Sequence, residues 1–191
     1  MAKIAIVYHS GYGHTAKQAQ AVHAGAGSVP GAESVLLSVT EMNDGFWETL
    51  AGADAIVFGA PTYMGGASGK FKEFADASSK PWFAQAWKNK IAGGFTNSAS
   101  LNGDKYNTLM YFVTLAMQHS MIWVGTGMLP ANSSKAQRND LNRMGSSIGP
   151  MAQSDSDVGA DVAPPDGDLA TAREYGKRVA ETTLQFLRGR A

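Results

Sequence analysis

The chain of 191 residues contains no cysteine. This absence excludes disulfide bonds, thiolate nucleophiles and zinc or iron–sulfur sites that depend on cysteine ligands. An excess of charge is missing as well, because 16 basic residues balance 16 acidic residues. Without a net charge, no global electrostatic field attracts the protein to nucleic acid or to anionic lipid.

Long apolar runs are also missing, since no stretch approaches the ~20 apolar residues that a bilayer span requires. The N-terminus passes directly into a strand pattern, without the basic and then apolar segments of a signal peptide. We therefore expect a cytoplasmic protein that binds neither membranes nor nucleic acid. The length and the 44% hydrophobic content fit a single domain over residues 1–191 with a real core.

Short apolar runs of strand length recur along the chain. They lie at Ile4–Tyr8, Val35–Val39, Ala55–Gly59, Ile91–Phe95 and Met121–Val124. Several are nearly continuous, which is typical of parallel strands that are covered on both faces. Helical spacing of apolar residues occurs in Thr15–Ala26, Phe71–Ala77, Tyr106–Met117 and roughly Leu169–Leu187.

This alternation predicts an α/β fold with a doubly wound, five-stranded parallel sheet and helices on both of its faces. In such sheets ligands bind beyond the carboxyl ends of the strands. The loops that follow the first, third and fourth strands are therefore the candidate site. A stretch rich in Gly, Ser, Asp, Asn and Pro at about residues 125–167 predicts a long loop excursion within the domain.

The first loop joins an apolar strand to a helical pattern and is rich in glycine and hydroxyl groups. Its residues are Ser10, Gly11, Tyr12, Gly13, His14 and Thr15. Free N–H groups, two hydroxyls and the positive end of a helix dipole favour a bound phosphate. The loop also contains a weak form of the dinucleotide fingerprint, and a plain turn into a helix is a further alternative. Hydroxyls on both sides of the glycines favour a terminal phosphate over a bridging pyrophosphate.

The second loop follows a buried strand and places an amphipathic aromatic residue among glycines. The residues that we assign to a cofactor site are Pro61, Thr62, Tyr63, Met64 and Gly65. Such a loop can lay its backbone and the tyrosine against the edge of a flat ring. The alternative is a simple strand-to-helix turn in which Ser68 acts as the N-cap.

The third loop supplies hydroxyls, amides and exposed N–H groups just after the fourth strand. Its candidate cofactor-binding residues are Thr96, Asn97, Ser98, Ala99, Asn102 and Gly103. These groups suit a heteroaromatic ring that carries carbonyl and N–H groups at its edge. The alternative is a solvent-exposed loop that caps the next helix at Asp104.

The stretch Ile6–Thr15 closely resembles the phosphate-binding signature of flavodoxins. More narrowly, the chain resembles the WrbA family of NAD(P)H:quinone oxidoreductases over nearly its whole length. Ser10–His14 is similar to that family's phosphate loop, and Gly59–Tyr63 is similar to its second loop. In Leu115–Met121, His119 stands where the family has a flavin-contacting histidine, and Trp82 falls at the position of a substrate-side tryptophan.

The resemblance implies a flavodoxin-like sheet with strand order 2-1-3-4-5 and FMN as the cofactor, held by the three loops and by His119. It implies a ping-pong oxidoreductase in which NADH or NADPH reduces FMN and a quinone-like acceptor then takes two electrons. Catalytic roles fall to His119 and Trp82, and the protein is expected to form a homo-oligomer (dimer or tetramer). The connection from Thr40 to Asp54, which bears on assembly, is shorter than in typical members.

Other classes of protein remain open at this point. One is a flavodoxin that carries single electrons, although such carriers are commonly strongly acidic and this chain is neutral. Another is a non-catalytic FMN-binding module, and a third is a Rossmann dehydrogenase that binds NAD without FMN. For His119 and Trp82 the alternatives are a favourable interaction with a helix dipole and simple packing.

Overall fold

A parallel sheet forms the centre of the computed structural model, which describes residues 1–190. Its strands are β1 (Ala2–Tyr8), β2 (Ala32–Ser38), β3 (Ala55–Tyr63), β4 (Gly66–Ala67), β5 (Ile91–Ser98), β6 (Ile122–Trp123) and β7 (Met151–Gln153). The helices are α1 (His14–Gly27), α2 (Asp44–Gly52), α3 (Gly69–Ala77), α4 (Ser79–Phe83), α5 (Lys105–Gln118) and α6 (Asp166–Gly189).

The main path of the sheet runs β2-β1-β3-β5-β6, and each neighbouring pair along it is parallel. This arrangement confirms the α/β flavodoxin-like fold class. The path itself has five parallel strands, and two short strands that were not expected, β4 and β7, pair with β3 and β5 outside it. The short β4 pairs with β3 in antiparallel fashion, and β6 covers only the first part of the β5 edge. The last part of that edge, Thr96 to Ser98, is covered by β7, which the chain supplies from the long segment after β6.

Side chains of the central strands alternate between two hydrophobic clusters, as the pleat of a strand requires. Val7 and Phe58 belong to a cluster that packs beneath α2, α3 and α5. Ile6 and Val57 belong to the opposite cluster, beneath α1 and α6. Because helices cover both faces, a ligand can approach the central strands at their ends.

The helices α1 and α6 touch backbone to backbone on one face. A Cβ atom at Gly25 would lie 1.8 Å from the carbonyl oxygen of Arg173, and one at Gly176 would lie 2.0 Å from that of Val22. Only glycine permits so close an approach at these positions. The contact fixes α1, whose N-terminus carries the first loop.

The four helices expected from periodicity are present as α1, α3, α5 and α6, with ends within a few residues of the prediction. The helix α2 was not expected. It begins after Asn43, whose Oδ1 accepts the N–H of Phe46 at 3.0 Å, and it buries Phe46 and Leu50. None of the helices in residues 1–190 combines the length and apolar character needed to cross a membrane.

The segment between β6 and α6 contains β7 and otherwise consists of turns and irregular backbone. It is fastened to the body at several points. Trp123 Nε1 donates to the carbonyl oxygen of Ile148 at 2.8 Å, and the Arg138 guanidinium binds both carboxylate oxygens of Asp168 at 2.8 and 2.7 Å. These contacts hold the segment against the carboxyl end of β5.

Candidate functional site

The loops that follow β1, β3 and β5 meet around one cavity of about 210 Å³ at the carboxyl edge of the sheet. Residues of all three predicted loops lie together there, joined by two serines that follow β7. The lining consists of Tyr12, His14, Thr15, Pro61, Thr62, Tyr63, Asn97, Ser98, Ala99, Ser154 and Ser156.

The side chain of Ser10 stabilises the conformation of the first loop by accepting two backbone N–H groups. Ser10 Oγ accepts the N–H groups of Gly13 and Ala16, both at 3.1 Å. Gly13 has φ +91°, a conformation that favours glycine, and it immediately precedes α1. The other backbone N–H groups of the first loop take no part in these two hydrogen bonds.

The backbone N–H groups of Tyr12, His14 and Thr15 find no acceptor within residues 1–190. They surround the N-terminus of the 14-residue helix α1, where the helix dipole is positive. His14 Nε2 donates instead to the carbonyl oxygen of Val158, at 3.0 Å, and so ties the segment after β7 to this loop. The arrangement presents several N–H donors to an anion.

The second loop is the turn of a β-hairpin between β3 and β4, not the strand-to-helix turn considered as an alternative. Met64 and Gly65 both have positive φ, 48° and 79°, which is typical of a two-residue hairpin turn. The Met64 side chain is fully exposed. The hairpin projects Met64 outward at the rim of the cavity.

Tyr63 belongs to the second loop and lies against the first loop. A Cβ atom at Gly11 would lie 2.4 Å from the Tyr63 hydroxyl oxygen, so the absence of a side chain at Gly11 makes room for this contact. The rings of Tyr63 and Tyr12 meet edge to face, with centroids 6.3 Å apart. Burial, with a smaller effect from Tyr12, raises the pKa of Tyr63.

Ser68 occupies the N-cap position of α3, but its side chain makes no capping bond. Its hydroxyl pairs instead with His9 Nδ1 at 2.8 Å in a buried contact. Burial and the charge of Lys70 lower the pKa of His9, against a smaller opposing effect of Glu73. His9 was not among the predicted site residues, although it directly precedes Ser10.

Three threonines form a buried hydrogen-bonded chain behind the cavity. Thr62 Oγ1 lies 2.8 Å from both Thr96 Oγ1 and Thr108 Oγ1, and Thr96 Oγ1 donates to the carbonyl oxygen of Ala60 at 2.7 Å. Because the Thr96 hydroxyl gives its proton to Ala60, it accepts the proton of Thr62, and Thr62 in turn accepts the proton of Thr108. Thr96 is therefore part of the wall and does not face the cavity.

Serines after β7 complete the third loop's side of the cavity. Ser154 Oγ donates to Asn97 Oδ1 at 3.1 Å, and the N–H of Ser154 donates to the carbonyl oxygen of Ser98, also at 3.1 Å. Ser154 and Ser156 were not predicted, since only the pairing of β7 with β5 brings them to the site. Asp104 sits at the N-cap position of α5 without a side-chain cap, contrary to the alternative considered for this loop.

The end of the third loop borders a separate, larger groove. Asn102 lines this groove of about 810 Å³, together with Leu101 and Tyr106. Gly103 has φ +55° and no Cβ, and a Cβ there would lie 2.1 Å from Ser98 Oγ. Gly103 therefore lets the loop fold back on the end of β5.

His119 and Trp82 lie at the opposite edge of the sheet. His119 follows α5, which begins beside the third loop and runs back for 14 residues, or about 21 Å. Together they border a cavity of about 240 Å³. The structure thus does not bring these two residues to the three loops of the same chain.

His119 is buried and packs against an aromatic ring. Its Nε2 donates to Ser78 Oγ at 2.9 Å, because the Ser78 hydroxyl gives its own proton to the carbonyl oxygen of Ala75. The ring centroid lies 4.1 Å from that of Trp87, and Nδ1 has no partner among the described residues. Burial lowers the pKa of His119 to about 4, so the imidazole is neutral at neutral pH.

Comparison with known proteins finds relatives over nearly the whole chain. Residues 37–135 match the family model of the NADPH-dependent FMN reductases. Flavodoxin FldP of Pseudomonas aeruginosa is 49% identical over 97% of this chain and 99% of that protein. An NAD(P)H dehydrogenase (quinone) of Geotalea uraniireducens is 33% identical over 97% of this chain and all of that protein. A solved WrbA-like flavodoxin of Agrobacterium tumefaciens is 46% identical, with a TM-score of 0.77 over 97% of this chain and 99% of that one.

Proposed function

The chain belongs to the WrbA-type family of FMN-binding, flavodoxin-like oxidoreductases, and from this membership we propose that it transfers two electrons from NAD(P)H to a quinone-like acceptor. The observation that carries the proposal is the first loop. It offers N–H donors without protein acceptors at the positive end of α1, beside a cavity that the other two loops enclose.

The residues around the cavity fit FMN. The N–H groups of Tyr12, His14 and Thr15, with the Thr15 hydroxyl, would hold the phosphate, while Ser10 keeps the loop in shape. No Asp or Glu of residues 1–190 lines the cavity, so no carboxylate opposes a phosphate dianion there. The residues of the second and third loops that line the cavity would hold the ring: Pro61, Thr62, Tyr63, Asn97, Ser98 and Ala99.

When bound, the flavin supplies the chemistry of accepting a hydride and passing on two electrons. The chain's own residues bind, orient and shield. The buried threonine chain fixes β3, β5 and α5 relative to one another, and Tyr63 covers the first loop. The absence of an acid–base pair in the cavity lining, among the described residues, agrees with a protein whose role is to position its cofactor.

A second candidate is a flavodoxin that carries single electrons between proteins. The relative that favours it is the Pseudomonas aeruginosa protein, which is 49% identical and is named a flavodoxin. The neutral charge of the chain favours the reductase, because carriers commonly use strongly acidic surfaces to dock with their partners. A non-catalytic FMN-binding module would bind flavin and show no turnover.

The test is reconstitution with FMN followed by anaerobic mixing with NADH or NADPH. A reductase should lose its flavin absorbance band at once, and it should then reduce benzoquinone with the parallel reciprocal plots of a ping-pong mechanism. Bleaching by dithionite alone, without turnover, would contradict the reductase. Uptake of the two electrons in two separated steps of a coulometric titration would favour the carrier.

Roles for His119 and Trp82 at a flavin require a second copy of the chain, since both lie at the far edge from the first loop. We propose that, if they act on the acceptor, they do so across a dimer or tetramer interface. Trp82→Ala should then reduce quinone turnover only at protein concentrations where sedimentation shows an oligomer. Unchanged turnover in the oligomer would remove Trp82 from the site.

A further inference from the structure

Lys105 is the first residue of α5 and has no exposed surface. Its Nζ donates to the carbonyl oxygen of Ser100, to that of Leu101 at 2.9 Å and to that of Asn102 at 3.5 Å. No carboxylate of residues 1–190 lies within ion-pair distance of it. Burial and the positive end of the helix dipole both disfavour an ammonium group at this position. The hydrogen bonds from Nζ to the third loop offset this unfavourable environment of the ammonium group.

These bonds determine which way the peptide groups of the loop face. The peptide bonds that follow Ser100, Leu101 and Asn102 are trans. In a planar trans peptide the C=O of one residue and the N–H of the next point in opposite directions. With the three carbonyls turned toward Lys105, the N–H groups of Leu101, Asn102 and Gly103 therefore face away from it. None of these N–H groups has an acceptor within the described chain.

We propose that Lys105 is a positioning residue, whose ammonium holds the carbonyls of residues 100–102 and thereby fixes the third loop, of which Asn97, Ser98 and Ala99 line the cavity that would take the flavin ring. The inference rests on the proposed function, since it assigns the third loop to that ring.

The protonation state of Lys105 determines how many hydrogen bonds its Nζ can donate to the third loop. Burial lowers the pKa of Lys105 to about 8; the charge of Asp168, on α6, opposes the shift, and that of Arg138, in the segment before β7, adds to it. Above that pH a neutral amine has two N–H donors for three carbonyls. The loop should loosen, and the affinity for FMN should fall as the pH rises through about 8.

Stability should respond to the same titration with the opposite sign. An unfolded lysine keeps its proton up to about pH 10.4, whereas the folded one loses it near pH 8. Between these values the unfolded state binds more protons, so the contribution of this group to stability rises with pH. A residue that served only to stabilise the fold would not lower flavin affinity over this range.

Lys90 provides a matched control at the other edge of the sheet. Its Nζ donates to the carbonyl oxygens of Ala51, at 2.8 Å, and Ala53. Burial also lowers its pKa, with Asp54 opposing the shift. Lys90→Met therefore removes a half-buried lysine from two carbonyls without touching the third loop.

The experiment is a titration of the apoprotein with FMN, followed by flavin fluorescence, at about pH 7 and about pH 9.5. For the wild-type protein and Lys90→Met, the dissociation constant should rise roughly tenfold between the two pH values, as bonds to a charged donor are lost. Lys105→Met should bind FMN roughly tenfold more weakly than wild type at the lower pH, with no further change at the higher pH.

The inference is overturned if Lys105→Met binds FMN as tightly as wild type, or if it keeps the wild-type pH dependence. If Lys105→Met does not fold, the wild-type and Lys90→Met profiles decide the matter: a common fall across pH 8 supports the inference, and flat profiles overturn it. Failure of the wild-type protein to bind FMN at neutral pH would overturn the proposed function as well.

Discussion

The two edges of the sheet use similar groups in different ways. At the amino edge, Lys90 is bonded to carbonyls at the end of α2 and just after it, and His119 packs on Trp87 and pairs with Ser78. At the carboxyl edge, Lys105 is also bonded to carbonyls, but the N–H groups beyond those carbonyls have no protein acceptor.

The difference shows where binding capacity lies. At the amino edge Lys90 Nζ and His119 Nε2 are bonded within the chain, so a change there should alter stability. At the carboxyl edge donors in the first and third loops are left over, and a change there should alter the affinity for a ligand. The following predictions test this division.

The largest effect is expected at Ser10. Ser10→Asp keeps an acceptor for the N–H groups of Gly13 and Ala16, so the loop should still fold. The added carboxylate would face the proposed phosphate, and charges a few ångströms apart near a protein surface interact by about 4 kcal/mol. We expect the affinity for FMN to fall at least roughly a hundredfold, as measured by fluorescence titration.

The matched control is Asn43→Asp. Asn43 also accepts a helix N-terminal N–H, that of Phe46 at 3.0 Å, but it lies outside the cavity lining. This variant should bind FMN as the wild-type protein does. Equal losses of affinity in Asn43→Asp and Ser10→Asp would show that general charge, not the first loop, determines binding.

A smaller effect is expected at His119, and on stability. Because the folded-state pKa is about 4, the unfolded chain binds a proton between about pH 6.5 and pH 4 that the folded chain does not. Stability should therefore fall by about 1–3 kcal/mol as the pH drops through this window. His119→Gln should lose part of this dependence in urea denaturation series, while its Kd for FMN at low protein concentration stays unchanged.

His23→Gln is the control for this series, since it removes another histidine–serine pair, to Ser34 Oγ at 2.7 Å, on α1. It should keep the acid-side loss of the wild-type protein. If His119→Gln retained the whole pH dependence, the buried neutral imidazole would not be its source.

The smallest effect is expected within the threonine chain. Thr108→Val removes the donor to Thr62 and should cost about 0.5–1.5 kcal/mol of stability. Thr114→Val, on the exposed side of the same helix, breaks only a bond to the carbonyl of Met110 and should change stability by less than about 0.5 kcal/mol. Equal costs in urea denaturation would show that the buried chain adds nothing.

The sequence predicted those parts of the fold and site that depend on neighbouring residues. The first loop is contiguous from Ser10 to Thr15, and its glycines, hydroxyls and helix start are visible in one short stretch. Apolar runs and helical spacing likewise placed the principal strands and four helices, because each is a local periodicity.

The remaining features depend on contacts between distant residues. Ser68 looked like a helix cap, but its partner is His9, 59 positions away. Ser154 reaches Asn97 only because β7 returns to the edge of β5. The distance of His119 from the first loop is set by the direction of α5, which no pattern in the residues around His119 reveals.

The most direct test of the phosphate-binding role of the first loop is a comparison of FMN with riboflavin, which lacks the phosphate. The loop's unpaired N–H groups and the α1 dipole act on the phosphate alone, so FMN should bind at least roughly a hundredfold more tightly in parallel fluorescence titrations. Equal dissociation constants for the two flavins would contradict the central claim.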